Sequence, residues 1–272
     1  MRQDNIKNFQ KIVWGFYKKE KRDFPWRRTR NPYFILVSEM MLQQTQVARV
    51  EKKYSEFLKI FPTLQELSKA PLSRVLIAWQ GLGYNRRALY LHQAAREIVK
   101  RYNGKIPRDM KTLQSIKGVG QSTAGGICAF AYNAPVVFIE TNIRRIFLYH
   151  FFRGKQNISD KELLLFIAKS LDREHPREWY FALMDYGAHL SVLKDNPNKK
   201  SKHYAVQSKF KGSKRQIRGK IIRYVIKNKS VSYSMLQNHL KCEGAVLEAI
   251  IKQMQKERMV TVKRGKIFLP TM

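Results

Sequence analysis

Apolar residues recur at intervals of three and four along most of this chain. Phe9, Ile12, Val13, Phe16 and Tyr17 form one stripe, and Val47, Val50, Tyr54, Phe57 and Leu58 form another. That is the period of a helix with one buried face rather than the alternation of a strand. Helix punctuation is dense as well. Thr63 with Glu66, and Ser159 with Glu162, have capping-box spacing, while Pro71 and Pro176 fit first-turn positions. Gly104 fits the end of a helix that carries Ala94 and Ile98. Residues 135–139 make a short β-like run, read as an extended connection rather than a sheet strand. An all-α region of many short helices is expected up to about His189, and 272 residues suffice to bury a proper core.

Charge narrows the partners. Lys and Arg number 53 against 20 acids, a formal charge of +33. Such an excess does not dictate a fold, but it predicts salt-sensitive attraction to polyanions, chiefly nucleic acid. A membrane surface is the competing polyanion. Against it, no apolar run approaches the ~20 residues of a spanning helix. The start, MRQDNIKNFQKIVWGFYKKEKRD, shows neither a signal-peptide core nor a small-residue cleavage site. The expected compartment is the cytoplasm, on the nucleoid. Two cysteines far apart, Cys128 and Cys242, and six scattered histidines give no disulfide framework and no metal-ligand spacing.

From Asp195 to Ser230 the composition shifts to twelve Lys/Arg against one acid. The expected division is a helical domain over 1–194, a basic linker over 195–213 and a second domain over 214–272. In the last, RQIRGKIIRYVIKN, VSYSMLQNHL and GAVLEAIIKQMQKERM read as three helices. MVTVK and KIFLP then alternate as two strands about an Arg264–Gly265 turn. Three helices and a hairpin give the winged-helix order, whose third helix usually enters the major groove. A small cap that only packs on the main domain is the alternative.

Two segments point to chemistry. LQSIKGVGQSTAGGI, Leu113 to Ile127, has a helix on either side of Gly118-Val119-Gly120. Glycine is needed where such a tight turn reverses and where a phosphate approaches. The second helix begins at once, so its unpaired N–H groups form a sequence-independent phosphate clamp. LVSEMMLQQTQ carries one acid, Glu39, among apolar residues. An acid so placed has a raised pKa and can act as a proton donor.

DFPWRRTRNPYFILVSEMMLQQTQ, WQGLGYNRRA, IKGVGQSTAGG, FIETNIRR and ALMDYGA occur in the order and spacing of the helix-hairpin-helix-GPD family of DNA glycosylases. Over roughly Arg22 to His189 the chain most resembles the MutY-type adenine DNA glycosylases of that family. The resemblance implies an all-α, two-lobed helix-hairpin-helix fold, with a C-terminal winged-helix-like domain added here. It also implies that duplex DNA with a mismatched or damaged base lies in the cleft between lobes, bound by a monomer without membrane contact. Glu39 takes the position of the acid that protonates the leaving base. Glu140, twenty residues beyond Gly120, takes that of an aspartate facing the sugar cation. Glutamate reaches one methylene further, so its carboxylate must be seated differently. An N-cap, or a salt bridge to Arg144 or Arg145, is the structural alternative for it.

Asn142 matches a residue near the same sugar. Arg22, Trp26, Arg27 and Asp185 match positions lining the adenine pocket, although Trp26 and Arg27 equally suit helix packing. Gln43, Gln44 and Tyr84 match residues that probe or wedge the duplex, with a core aromatic as the alternative for Tyr84. Gly118, Val119, Gly120 and Gln121 match the phosphate-binding hairpin. Ser122 stands where lyase members carry lysine, whose amine forms a Schiff base. Serine cannot, so simple hydrolysis is implied. Many relatives hold an iron–sulfur cluster with four cysteines after the MDxGA segment. Here SVLKDNPNKKSKHYAVQSKF has none, so no cofactor is expected. A mismatch thymine or uracil glycosylase, and a catalytically silent DNA-binding regulator, are the competing readings.

Overall fold

The computed structural model describes residues 3–192, 195–207 and 209–270. In chain order the helices are α1 (Gln3–Glu20), α2 (Pro32–Leu42), α3 (Val47–Ile60), α4 (Leu64–Lys69), α5 (Leu72–Ala78), α6 (Arg86–Tyr102) and α7 (Met110–Ser115). They continue as α8 (Gln121–Tyr132), α9 (Thr141–Phe151), α10 (Asp160–Ser170) and α11 (Pro176–His189). The chain closes with α12 (Lys214–Asn228), β1 (Ser230–Ser232), α13 (Tyr233–Leu240), α14 (Gly244–Lys256), β2 (Thr261–Lys263) and β3 (Lys266–Phe268). Residues 134–139 join α8 to α9 outside any helix or strand, as expected of the run over 135–139.

The chain divides into two compact units. The first comprises Met1–Glu39, Ile106–Ser115 and Val119–Val206. Its centre is α11, which packs against α1, α8 and α9 and buries Trp179, Tyr180 and Leu183 completely. The Phe9 ring of α1 lies 5.1 Å from that of Phe147 and 5.0 Å from that of Phe151, joining α1 to α9. Local signals place the helix ends. Ser159 and Glu162 form a complete capping box at α10, and Asn31 accepts from the Tyr33 amide at 2.9 Å where α2 begins. Beyond α11, part of the basic stretch packs onto this unit. Pro197 and Asn198 are buried, and the Ile158 amide and carbonyl bond Lys200 and Lys202 at 2.9 Å.

The second unit comprises Met40–Lys105, Ile116–Gly118 and Gln207–Met272. Helices α4 and α5 pack on α6, whose buried face carries Ala88, Leu91, Ala94, Ala95 and Ile98. Asn103 in the left-handed region and the Gly104 amide, bonded to the Ile98 carbonyl at 3.2 Å, end that helix. In the C-terminal part, the three expected helices and the hairpin occur in order. A third strand joins them: β1 pairs antiparallel with β3 through Val231 opposite Ile267, so the sheet order is β1-β3-β2. The sequence reading puts Val231 and Ser232 at the start of the second of these helices. A strand of three residues is too short to show alternation, and Ser232 also caps α13 by accepting from the Met235 amide at 3.2 Å. Among the described residues no helix is long and apolar enough to cross a membrane.

Candidate active site

Glu39 projects from α2, whose other side chains around it, Leu36, Val37, Met40 and Met41, are wholly buried. Among the described residues no hydrogen bond holds its carboxyl group. Burial, and then the charge of Glu140, push its pKa up to about 8. Space for the group comes from α8. A Cβ built on Gly126 would clash with Glu39 Oε2 and lie 2.8 Å from its Cδ, so glycine there lets the carboxyl keep this position.

Glu140 is the N-cap of α9. Its Oε1 accepts from the Ile143 amide at 2.7 Å, and its Oε2 from Asn142 Nδ2 at 3.3 Å. Burial raises its pKa, while the Asn142 and Ile143 bonds and the charges of Arg145 and Arg144 oppose that shift. The capping role considered as an alternative is therefore real. It does not remove Glu140 from the site, because the same carboxylate is near enough to raise Glu39. Asn142 is fixed from its other side. Arg145, itself buried, donates to Asn142 Oδ1 at 2.8 Å and to the Gly187 carbonyl at 2.6 Å. One acid is thus bonded with cations nearby, while the other has no hydrogen bond among the described residues. Burial raises both pKa values, and bonds and nearby cations oppose that shift only at Glu140.

Asp185 presents no free edge. Arg22 reaches it through its amide at 3.0 Å and its Nε at 2.6 Å, and Arg27 through two guanidinium nitrogens at 2.7 Å each. As part of a base pocket it acts only through the arginines it fixes. The Phe24 ring lies 5.2 Å from each guanidinium carbon and stacks on the buried Trp26 at 5.1 Å.

At the hairpin, Gly118 has φ +89°, and a Cβ there would clash with Tyr90. Gly120 differs. It is the N-cap of α8 with no side-chain cap, and an added Cβ would meet nothing within 4 Å. Packing does not require that glycine; a close approach from outside would. Gln121 is exposed and Ser122 half-buried on the first turn of α8. Val119 is buried, so only its backbone is available to a ligand.

Gln43, Gln44, Tyr84 and Gly118 belong to the second unit. Gln44 is exposed and Tyr84 half-buried, with φ of 53° and 47°. Arg87 braces both turns. Its buried guanidinium donates to the carbonyls of Met41 at 2.7 Å, Leu82 at 3.1 Å and Gly83 at 3.2 Å, and to Thr45 Oγ1 at 2.7 Å. Burial lowers its pKa to about 10.

Sequence reading missed Arg87, Phe24 and Gly126 as shaping residues, and considered Arg145 only as a partner of Glu140. Two of these had a signal: arginine on the apolar face of α6, and glycine inside the otherwise helical STAGGI.

A glycine-turned helical hairpin that opens a bare helix N-terminus, on the helix that seats an unpaired acid, defines a class of helix-hairpin-helix proteins. The profile of the HhH-GPD superfamily of base excision DNA repair proteins matches residues 37–171, about half of the chain. It is similar to an adenine DNA glycosylase of Buchnera aphidicola subsp. Baizongia pistaciae, at 34% identity over 70% of this chain and 54% of that protein. It is also similar to a thymine/uracil-DNA glycosylase of Methanothermobacter thermautotrophicus, at 29% identity over 67% of this chain and 84% of that one. The solved structure of a thermostable thymine-DNA glycosylase superposes with a TM-score of 0.65 and 26% identity, over 72% of this chain and 92% of that one. The chain spans about half the length, or less, of the adenine DNA glycosylases it matches.

Proposed function

We propose that this chain is a monofunctional DNA glycosylase that hydrolyses the N-glycosidic bond of adenine mispaired with guanine or 8-oxoguanine. It would act as a monomer on duplex DNA, with Gln44 and Tyr84 probing the helix while the base is extruded. The observation that carries the reading is the bare Glu39 carboxyl beside Glu140, held up to about pH 8. At neutral pH Glu39 keeps its proton and passes it to N7 of the extruded purine. The C1′–N9 bond breaks with both electrons going to the base, which leaves neutral rather than as an anion. Ionised Glu140 stabilises the positive sugar left behind, with Asn142 steadying it. Water then adds at C1′ and gives its proton to Glu39, restoring the acid. Ser122 supplies a hydroxyl and no amine, which supports hydrolysis without strand cleavage.

A thymine/uracil specificity is the second reading, favoured by the similarity over 84% of the Methanothermobacter protein. An acid poised to protonate matters more to a departing purine than to a pyrimidine, which favours adenine. The basic C-terminal part, read as winged-helix-like, adds DNA contacts. Nor do the side chains fit an iron–sulfur cluster. Cys128 is buried in α8 and donates to the Arg108 carbonyl at 3.2 Å, while Cys242 lies between α13 and α14. Purified protein should contain no stoichiometric iron or sulfide. The deciding experiment is a duplex panel with adenine opposite guanine, cytosine or 8-oxoguanine, and thymine or uracil opposite guanine. Alkali-dependent nicking only at adenine is expected; release of thymine or uracil alone would replace the substrate, and no release would refute the reading.

A further inference from the structure

Glu140 keeps its place through the first turn of α9. The Ile143 amide bonds its carboxylate at 2.7 Å and Asn142 Nδ2 at 3.3 Å, and both partners belong to that turn. A carboxylate held this way sits no more firmly than the turn itself, and helix ends fray. Whatever fixes the start of α9 therefore fixes the acid.

Such a fixture comes from far along the chain. Residues 196–202 lie against α9 as a strap, with a short 3₁₀ turn at Pro197–Lys200. Its backbone is tied down: Asn196 Oδ1 accepts from the Asn198 amide at 3.1 Å, and Ile158 bonds the Lys200 carbonyl and the Lys202 amide at 2.9 Å each. From this frame Asn198 Nδ2 donates to the Thr141 carbonyl, at the start of α9, at 3.3 Å. Lys200 Nζ donates to the carbonyl of Phe152, the C-cap of α9, at 3.4 Å. The strap grips the helix at both ends.

Asn198 does more than fill space. It is 5% exposed, and its Oδ1 is buried with no hydrogen-bond partner among the described residues. A buried acceptor left unpaired is destabilising, and leucine, with the same branched outline, would avoid it. The amide offers one thing that leucine lacks, the donor to Thr141.

We propose that Asn198 is a positioning residue for the reaction: by holding the Thr141 carbonyl it fixes the first turn of α9, and with it the seat of the Glu140 carboxylate. The assignment rests on the glycosylase reading above. Glutamate has one more rotatable bond than aspartate, so its carboxylate has more freedom to lose, and the turn under the strap restrains it.

The test compares full-length wild type with Asn198→Leu and with Asn198→Ala, which demands no extra room if leucine does not fold. The bonds from Asn142 and Ile143 lower the Glu140 pKa, so loosening them should move its carboxyl ¹³C titration upward by about half a pH unit. That resonance is assigned by difference against Glu140→Gln. Arg144, Arg145 and Glu39, the other charged groups coupled to Glu140, are kept in both variants. Single-turnover release of adenine opposite guanine should fall about tenfold, with the acid limb of its pH profile displaced in the same direction. Lys200→Met frees only the far end of the strap and should leave the Glu140 titration in place. An unmoved titration in both Asn198 variants, a rate lowered equally at every pH, or a shift as large in Lys200→Met would overturn the assignment. If Glu140 moves yet wild type releases no base from any duplex, the glycosylase reading fails and the positioning stands. If wild type releases adenine and Glu140 does not move, the positioning fails alone.

Discussion

Glu39 and Asp185 lie in the same unit, Asp185 buried and Glu39 half-buried. Around Asp185 the chain supplies four hydrogen bonds from Arg22 and Arg27, two charges against one. Around Glu39 it supplies none among the described residues, and adds the repulsion of Glu140. One region spends an acid to hold two arginines in place. The other keeps an acid neutral, at a cost in stability, so that it has a proton to give. A saturated carboxylate is architecture, whereas one left unpaired beside another acid is suited to proton transfer.

Substitutions at the two sites should therefore fail in different ways. Glu39→Gln should lower single-turnover base release by about 10²–10⁴-fold with DNA binding nearly intact, the range for loss of a proton donor. Turnover at the wild-type rate would remove Glu39 from the chemistry. Asp185→Asn should do the reverse, costing about 3–5 kcal/mol in denaturant unfolding because Arg22 and Arg27 lose their counter-charge. A change under 1 kcal/mol would mean that the arginines are held by other contacts.

Gly126→Ala sharpens the contrast, since alanine favours a helix by about 1 kcal/mol over glycine. The helix should tolerate it, yet the new Cβ displaces the Glu39 carboxyl, and release should fall about 100-fold with circular dichroism unchanged.

The smallest expected effect is on stability. With a folded pKa of about 8 against an ordinary 4.5, Glu39 binds a proton in the folded state that the unfolded chain has lost between those values. Glu39→Gln should thus match wild type below pH 4.5. Its advantage should grow with pH and level off above about 8. A constant difference across that window would contradict the shift.

The helical framework was legible because amphipathic period, caps and the hairpin glycines are local signals. Glu39 stood out as one acid in an apolar run, and Glu140 through its spacing from Gly120. What the sequence hid depends on partners distant along the chain. Asp185 reads as a pocket acid until Arg22 and Arg27 close on it from 163 and 158 residues away. The stretch around Asn198 looks like solvated linker, but its backbone finds partners at Ile158 and it is buried.

The protonation state of Glu39 at neutral pH is the point on which the reaction turns, and it can be read directly. Carboxyl ¹³C shifts of glutamate-labelled protein, assigned by difference against Glu39→Gln, should show one group titrating near pH 8. Titration of that resonance between pH 4 and 5, as for an ordinary solvated glutamate, would contradict the account.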